Sequence, residues 1–369
     1  MMSINWCGNC LNASTRPRIT FDQRGWCNAC QWMEEKSNID WSRRQEKLIK
    51  LIEKHRGNGP YDCIVAVSGG KDGSYVAHTL KSRYGVNPLC ITVRPPLSLK
   101  IGNDNLESFI SAGFEHLLVS PNTIAMRALD KIGFLKYGQG YYGWLIAIHT
   151  AVLRVAEKFN ISLVFYSEDG EVEYGGSSEK KDEGVYGIDY MRKAYLNSTY
   201  ENVIKLARLD EGSLYWFNFP KSMMDSISNI EVTHFSFYEN WDPYRNYLVA
   251  KEFCGLREMD EAVVGTFTNF AQNDQELASL HYYLMYLKFG FGRATQDAGI
   301  EIRRGAMTRG QALSLVRLYD GQAPLEAYQS YADYYQITLE EFNKAIDKFA
   351  NKEIFEKVNG LWTPKFTPK

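Results

Sequence analysis

Short apolar runs alternate with amphipathic helical segments through the middle of this chain. Unbroken apolar runs predict strands at 62–67, 89–93, 116–119 and 162–166, and apolar residues at helical spacing predict the helices between them. Strands without polar alternation, separated by helices, are typical of a parallel sheet that is covered on both faces. We therefore expect an α/β fold with a doubly wound parallel sheet, and a ligand site at the carboxyl ends of its strands.

The flanking segments follow other patterns. Two further strands are predicted at 214–219 and 234–237, and Asp242-Pro243 supplies the acidic cap and first-turn proline of a helix start. The residues after 266 have mainly helical patterns. We divide the chain into a cysteine module at 1–38, a helix with a Gly-Pro linker at 39–60, an α/β domain at 61–265, and a mainly helical C-terminal region at 266–369, which we expect to contact substrate or partner.

The composition and net charge of the chain indicate what kind of protein it is. The 369 residues are 45% hydrophobic and 23% charged, as in an ordinary globular protein. No apolar run approaches the roughly 20 residues that span a bilayer, and cysteines stand where a signal peptide would be apolar. A net charge of −2 provides no overall attraction to nucleic acid. We expect a cytoplasmic protein with no membrane partner, and the charge argues against a nucleic-acid partner.

Four of the seven cysteines form two CxxC pairs. Cys7 and Cys10 are separated from Cys27 and Cys30 by 16 residues, which is the spacing of a tetrahedral zinc site with two knuckles. Disulfides are the alternative, and the reducing cytosol argues against them. A closed four-sulfur site leaves no position for water, so we expect these cysteines to bind a structural Zn²⁺.

A glycine-rich loop follows the first predicted strand. Two glycines allow a tight turn with exposed backbone N–H groups, and a helix beginning near Ser74 would add the positive end of its dipole. This pattern indicates a phosphate site, with a cation from Lys71, hydroxyl donors from both serines, and Asp72 placed to help hold a metal. The alternative is an ordinary strand-to-helix turn. The candidate loop residues are Ser68, Gly69, Gly70, Lys71, Asp72, Gly73 and Ser74.

This loop resembles SGGxDS, the pyrophosphate loop of ATP pyrophosphatases such as GMP synthetase, asparagine synthetase and the tRNA-thiolating enzymes. The chain carries one extra residue, Gly73, before the final serine. The resemblance implies a PP-loop fold of the HUP type and the use of ATP with Mg²⁺. Thr92 and Val93 end the second predicted strand, where this architecture commonly cradles adenine, although they also suit plain strand positions.

Acidic residues follow the strand at 162–166. Because they are released at the carboxyl edge of the sheet, they face the same crevice as the loop, where Mg²⁺ would need carboxylates. Glu168 is the first candidate, and Glu171, Tyr174 and Gly175 are candidate substrate contacts. Together with Lys71 and Asp72, we assign Glu168 to catalysis. The alternative for each acid is a solvated loop.

A basic segment with glycines begins at Lys288. Such a segment can close on a phosphorylated or carboxylated substrate, so Lys288 and Arg293 are further candidate substrate contacts. A charged outer helix face is the alternative. The remaining chemical groups, His149, Cys63, Cys90 and Cys254, lie in segments predicted to be buried and are interpreted as core residues.

The combined motifs resemble the N-acetyl sugar amidotransferases of bacterial surface-polysaccharide and nonulosonic-acid pathways. The resemblance rests on the CxxC module with TRPRITFD, the SGGKDGS loop, the EYGG segment, and KFGFGRAT with IRRGAMTRGQAL and LVRLYDG. It implies an enzyme that uses ATP and ammonia to convert an acetamido group of a nucleotide-activated sugar, as in LPS O-antigen biosynthesis, to an acetamidino group. It also implies a glutaminase partner and a cyclase-like barrel subunit that supply the ammonia.

Two other functions remain open from the sequence. A tRNA sulfurtransferase shares the loop and often a zinc module, but it needs a reactive cysteine or an iron–sulfur cluster near the loop and a basic RNA face. A zinc-ribbon adaptor with an inactive nucleotide domain would not need Lys71, Asp72 and both loop serines. Pyrophosphate release separates the adaptor from either enzyme.

Overall fold

The computed structural model describes residues 4–57, 59–225 and 229–369, so that Asn58 of the expected linker and the first three residues of the expected cysteine module lie outside it. The N-terminal segment brings the two CxxC pairs together and continues into helices α1 (Asn28–Lys36) and α2 (Trp41–His55). Asp40 begins α2 because its side chain accepts a hydrogen bond from Arg43 N.

The central sheet has six strands in the order β3-β2-β1-β4-β6-β5. All neighbours pair in parallel except β5, which pairs antiparallel with β6 at one edge. The direction of the strand order changes at β1, so the crevice between β1 and β4 is the topological switch point of the sheet. The strands are β1 (Cys63–Ala66), β2 (Pro88–Val93), β3 (His116–Val119), β4 (Leu163–Tyr166), β5 (Val185–Tyr186) and β6 (Glu231–His234).

Helices cover both faces of this sheet. Alternate residues of β1 enter opposite cores: Cys63 and Val65 pack with α3 and α4, while Ile64 packs with α5 and α6. The predicted fold class, a doubly wound parallel α/β sheet, is thereby confirmed. These flanking helices are α3 (Lys71–Tyr84), α4 (Lys100–Ser111), α5 (Thr123–Ile132) and α6 (Tyr142–Phe159).

Shorter elements connect β4 to the C-terminal region. Helix α11 (Pro243–Cys254) begins at the cap predicted from the sequence, where Asp242 accepts from the backbone of Tyr244 and Arg245. It packs along α3. The other connecting helices are α7 (Gly170–Tyr174), α8 (Ile188–Tyr190), α9 (Tyr200–Ala207) and α10 (Lys221–Met224).

The C-terminal region is helical, as predicted, and ends in a hairpin. Its core is built largely from aromatic rings, among them Phe134 stacked between Tyr335 and Phe342. The elements are α12 (Leu277–Phe289), α13 (Arg293–Arg303), α14 (Arg309–Tyr319), α15 (Tyr328–Tyr335), α16 (Leu339–Phe349), β7 (Phe355–Val358) and β8 (Leu361–Pro364). Over the described ranges, every helix is too short or too polar to cross a membrane.

Two of the predicted strands are wrong. Residues 214–219 contain a 3-10 turn at Tyr215–Phe217, because carbonyls there accept from side chains of α6, with Thr150 donating to Trp216 O. The strand predicted at 234–237 instead ends at His234, because its partner β4 ends at Tyr166, the residue paired with His234. A 3-10 turn follows at Phe235–Phe237.

One buried carboxyl joins the sheet layer to the C-terminal helices. Asp130 Oδ1 accepts from Gly143 N at 2.6 Å and so caps the first turn of α6. Its other oxygen accepts from Tyr334 OH of α15 at 2.6 Å. Burial raises the pKa of Asp130 to about 7, although these donors oppose the shift. The carboxyl is therefore bound to its proton more tightly in the folded chain than in the unfolded one.

We predict that Asp130→Asn changes the pH dependence of stability. The raised folded pKa stabilises the wild type fully below pH 4, and this contribution is lost as pH rises towards 7, by at most about 1.4 kcal/mol per pH unit. In urea titrations, the unfolding free energy of the wild type minus that of Asp130→Asn should therefore fall from pH 5 to pH 8. Asp130→Ala also removes the cap of α6. Its unfolding free energy should therefore be lower than that of Asp130→Asn by about 1 kcal/mol at every pH. A difference independent of pH would contradict the assignment.

Candidate active site

A crevice opens at the carboxyl ends of β1, β2 and β4. Its volume is about 340 Å³, which is within the range of small-molecule sites. The crevice gathers the glycine loop, the end of β2, the acidic segment after β4 and part of the C-terminal region. Of the predicted site residues, ten line it: Ser68, Gly70, Lys71, Asp72, Gly73, Thr92, Val93, Glu168, Tyr174 and Arg293.

The loop presents the N-terminus of α3 to this crevice. The helix begins at Lys71 rather than near Ser74, because Ser74 N already bonds to Gly70 O. The cap residue, Gly70, has no side chain to satisfy the backbone N–H groups of the first turn. Lys71 pairs with Asp72, and Asn246 of α11 donates to the same carboxylate at 3.0 Å. The first turn therefore offers donors and a cation to an anion.

Close backbone contacts explain two glycines of the loop. Gly69 has a φ of 78°, and a Cβ there would lie 2.5 Å from Leu106 N of α4. Gly73 lies in the first turn of α3, where a Cβ would come within 2.9 Å of Ala66 O and Val67 Cα. Gly73, the extra residue relative to SGGxDS, therefore lies where α3 contacts β1. Because glycine has no side chain, it permits this close approach.

Glu168 faces the loop across the crevice. Burial and the neighbouring Asp72 carboxylate raise the pKa of Glu168 to about 7, against the effect of Lys71. Tyr174 donates from its hydroxyl to Glu168 Oε1 at 2.9 Å. Two carboxylates beside an anion site suit a divalent cation that also contacts phosphate oxygens. Asp72 and Glu168 are the residues that would hold Mg²⁺.

The end of β2 forms an apolar part of the crevice. Thr92 donates from Oγ1 to Val67 O at 2.8 Å, so its hydroxyl already joins β2 to β1. Val93 O accepts from the indole Nε1 of Trp144 at 3.1 Å. Trp144, Ile148 and Val152 of α6 continue this surface, together with Tyr166. It is a flat, mostly apolar wall.

The C-terminal region closes the crevice. Arg293, the first residue of α13, lies 2.9 Å through Nε from Asp297 Oδ1. Burial opposes its charge, but the Asp297 carboxylate outweighs this and raises the pKa of Arg293. Residues 270–274 supply the rest of this wall. Sequence reasoning identified Arg293 and missed 270–274, Trp144 and Tyr166, because no motif marks them and only the fold brings them to the loop.

Five candidates lie outside the crevice lining. Gly69 packs against α4 and not towards the crevice. The buried Ser74 Oγ has no hydrogen-bond partner among the described residues. Glu171 pairs with Arg18, and Gly175 packs against the cysteine module. Lys288 donates to Gly138 O at 2.9 Å, and burial lowers its pKa to about 8. Lys288 therefore closes a turn of the C-terminal core.

The other singled-out groups are core residues, as expected. His149 is buried in α6, and burial lowers its pKa to about 4. Burial raises the thiol pKa of Cys90 to about 12 and of Cys254 to about 11, and Cys63 is shifted in the same direction. None of the three thiols is activated as a nucleophile.

The four N-terminal cysteines form a buried cluster. Their sulfurs lie within 4.8 Å of one another, with 3.7 Å between Cys7 and Cys30 and 3.6 Å between Cys10 and Cys27. A tetrahedron with metal–sulfur bonds of about 2.3 Å has edges of about 3.8 Å, whereas a disulfide needs about 2.05 Å. Cys27 N donates to Cys7 Sγ at 3.1 Å, which favours a thiolate. The cluster fits a single tetrahedral metal ion.

The cysteine module also holds the segment that carries Tyr174. Asn12 donates to Tyr174 O at 3.2 Å, and two 2.7 Å contacts join Arg18 to Glu171. Lys36 pairs with Glu173 at 2.7 Å. These contacts come from residues between and just after the knuckles. The cysteine cluster is therefore coupled through these contacts to one wall of the crevice.

A second cavity lies on the other side of Tyr174. It is bounded by α1, residues 240–243 and α13. A small third cavity shares Pro243 and Ile300 with it, and shares Lys71 and Arg293 with the crevice. Tyr174 lines all three. The three cavities thus adjoin one another from the surface near the cysteine module to the glycine loop.

Part of this chain is similar in sequence to a curated protein. Over 93 residues it is 33% identical to an uncharacterized protein of Methanocaldococcus jannaschii, and the match covers 24% of this chain and 32% of that relative. The match thus spans about a third of the relative's length.

Two solved structures show low likeness. An NH3-dependent NAD synthetase from Campylobacter jejuni in complex with nitrate has a TM-score of 0.30 at 17% identity, covering 51% of this chain and 95% of its own. The U34-tRNA thiolase NcsA from Methanococcus maripaludis, with its [4Fe-4S] cluster, has a TM-score of 0.32 at 15% identity, covering 83% of this chain and 88% of its own. At these TM-scores neither likeness carries an argument about function.

The informative match lies in the C-terminal region. Residues 264–367 match the family described as LPS biosynthesis protein WbpG-like, C-terminal domain. This segment includes Arg293 and residues 270–274, which form one wall of the crevice. This match confirms the resemblance to surface-polysaccharide biosynthesis proteins drawn from the sequence, over residues 264–367.

Proposed function

We propose that this chain is an ATP-dependent amidotransferase that converts the acetamido group of a nucleotide-activated sugar to an acetamidino group. The observation that supports this most is the shared crevice: the open first turn of α3, with Lys71, faces a wall built by the WbpG-like domain. The wall at the first turn of α3 suits a polyphosphate. The wall opposite lies in the segment that matches a domain of LPS biosynthesis proteins. We place the reaction in the cytoplasm, where ATP and nucleotide sugars occur.

The chemistry requires activation of a poor electrophile. The acetamido oxygen attacks the α-phosphorus of ATP, the bond to the β-phosphate oxygen breaks, and pyrophosphate leaves. Ammonia then adds to the carbon of the O-adenyl imidate, loses a proton, and expels AMP with the former amide oxygen. Positioning and charge stabilisation supply most of the acceleration in such a reaction.

The crevice residues have distinct roles in this proposal. The first turn of α3 and Lys71 bind the departing pyrophosphate. Asp72 and Glu168 would hold a Mg²⁺ ion, which would supply positive charge beside the phosphates. Arg293 orients an anionic part of the sugar nucleotide, and Tyr174 fixes Glu168 by its hydrogen bond.

We further propose that ammonia comes from a separate glutaminase acting with a cyclase-like barrel subunit. Within the described ranges, the cysteines outside the metal cluster are buried and have raised pKa values, which is unfavourable for a glutaminase nucleophile or a persulfide carrier. The cavities past Tyr174 share wall residues with the crevice, so we place the entry of ammonia on this side, away from the mouth used by ATP and sugar.

For the cysteine cluster we propose Zn²⁺. Sulfurs 3.6–3.7 Å apart are too close to be the outer corners of an iron–sulfur cube, whose four irons would have to fit between them. A closed set of four thiolates is typical of structural zinc.

Loss of the loop cation should abolish turnover without unfolding the protein. We expect Lys71→Ala and Asp72→Ala to lower sugar-dependent pyrophosphate release by at least about 100-fold, since each removes charge stabilisation at the leaving group. The assay uses ATP with a panel of UDP- and CMP-linked 2-acetamido sugars. Lys81→Ala, on the exposed side of the same helix, is the matched control and should retain wild-type rates. Activity within a few-fold of wild type in Lys71→Ala would remove the loop from the mechanism.

Cys27→Ser should lose metal and stability together. A structural tetrahedral site contributes about 10 kcal/mol or more to the folding of its module. Elemental analysis should find one zinc and no iron per wild-type chain and less in the variant, with a lower melting temperature. Cys254→Ser, which changes a buried thiol outside the cluster, should keep its zinc. A metal-free wild type of equal stability would refute the structural role.

The purified chain should depend on free ammonia. With ammonium at alkaline pH, where NH₃ is abundant, it should form amidine, and glutamine alone should give none. Addition of the glutaminase and barrel subunits should make glutamine effective at neutral pH. Product formation from glutamine by the single chain would contradict the partner requirement, and sulfur transfer to tRNA would contradict the amidotransferase itself.

A further inference from the structure

An amide side chain without a donor partner lies in the crevice wall. Asn273 is only 3% exposed and lines the crevice, yet its Nδ2 makes no hydrogen bond with any described residue. A buried amide donor left unsatisfied costs about 1–3 kcal/mol. Such a group in a ligand crevice is typical of one that is satisfied when ligand binds.

The segment around Asn273 is held in place by backbone contacts. Leu99 N donates to Asp274 O at 3.0 Å, and Glu276 N donates to Leu97 O at 2.9 Å. Gln272, just before, has a φ of 55°, an uncommon conformation for a residue other than glycine. Because residues 97–99 follow β2 closely, these bonds place Asn273 above the carboxyl end of that strand.

The surface at this end of the crevice suits a flat base. Ile91 and Val93 of β2 line it beside Trp144, whose indole is fixed by its bond to Val93 O. The phosphate-binding turn of α3 opens into the same crevice. An asparagine amide carries one acceptor and donors side by side, which matches the exocyclic amino group and ring nitrogen of adenine.

We propose that Asn273 reads the base edge of ATP and so selects adenine, with the flat wall at Val93 and Trp144 beside the ring. The inference rests on the proposed use of ATP and extends it. Nucleotide recognition is then shared between the two parts of the chain: the α/β sheet binds phosphate, and the WbpG-like domain identifies the base.

The proposal is tested by binding, which needs neither the sugar nor ammonia. Calorimetry with Mg²⁺ and the non-cleavable analogues α,β-methylene-ATP and α,β-methylene-GTP gives the affinity for each base. Asn273→Leu should weaken ATP-analogue binding by about 10-fold or more, the value of a paired amide and base edge. Asn273→Asp, which can only accept, should also weaken it and should shift the preference towards the GTP analogue, whose edge carries two donors.

The matched control is Asn105→Ala. Asn105 is equally buried, but its amide already exchanges two hydrogen bonds with Arg257 backbone, at 3.0 and 2.9 Å. This control should lower the melting temperature and leave the ATP-to-GTP ratio unchanged. Because melting is measured for every variant, lost folding is distinguished from lost selectivity.

The outcomes separate this inference from the proposed function. Wild-type affinity and base preference in folded Asn273→Leu and Asn273→Asp would overturn the inference and would leave the use of ATP intact. Failure of the wild-type chain to bind either analogue would overturn both.

Discussion

The first turn of α3 is the constraint on which the site depends. A helix whose cap residue is glycine leaves its leading N–H groups without acceptors, and here they open into a crevice instead of into bulk solvent. The turn can approach β1 so closely only because Gly73 has no side chain. An anion at this place satisfies the backbone, the dipole and Lys71 together. In the function proposed above, a cation held by the carboxylates of Asp72 and Glu168 would lie beside that anion, so acidic and basic residues would act at one edge of the sheet.

The cysteine module and one wall of the crevice are joined by direct contacts. Asn12, Arg18 and Lys36 contact the segment 171–176, and that segment presents Tyr174 to Glu168. Glu171 and Gly175 thereby act as attachment points of a wall. In the function proposed above, a metal ion held by the four cysteines would act on the crevice only through these contacts, by fixing where this wall lies.

The two larger parts of the chain contribute different chemistry to the same space. The glycine loop at the sheet edge contributes groups suited to binding phosphate. The helical region contributes Arg293 and residues 270–274 to the crevice wall. The WbpG-like match covers this second part, and in the function proposed above it is the part that would contact the sugar. Residues 97–99 pair with 274–276 and hold the two parts together directly over the crevice.

The sequence by itself determined the features that arise from local pattern. Unbroken apolar runs predicted β1 to β4, the paired CxxC motifs predicted a compact four-sulfur cluster, and the glycine loop placed Ser68 to Asp72 at a strand end. Tertiary contacts decided the rest. Aromatic residues at 215–217 form a turn because α6 side chains satisfy their carbonyls, and Lys288 caps the C-terminal core because Gly138 O lies within reach. Asn273 and Trp144 reach the crevice from distant segments that no spacing rule connects. A residue's partners across the fold determine its role, and those partners are set by packing.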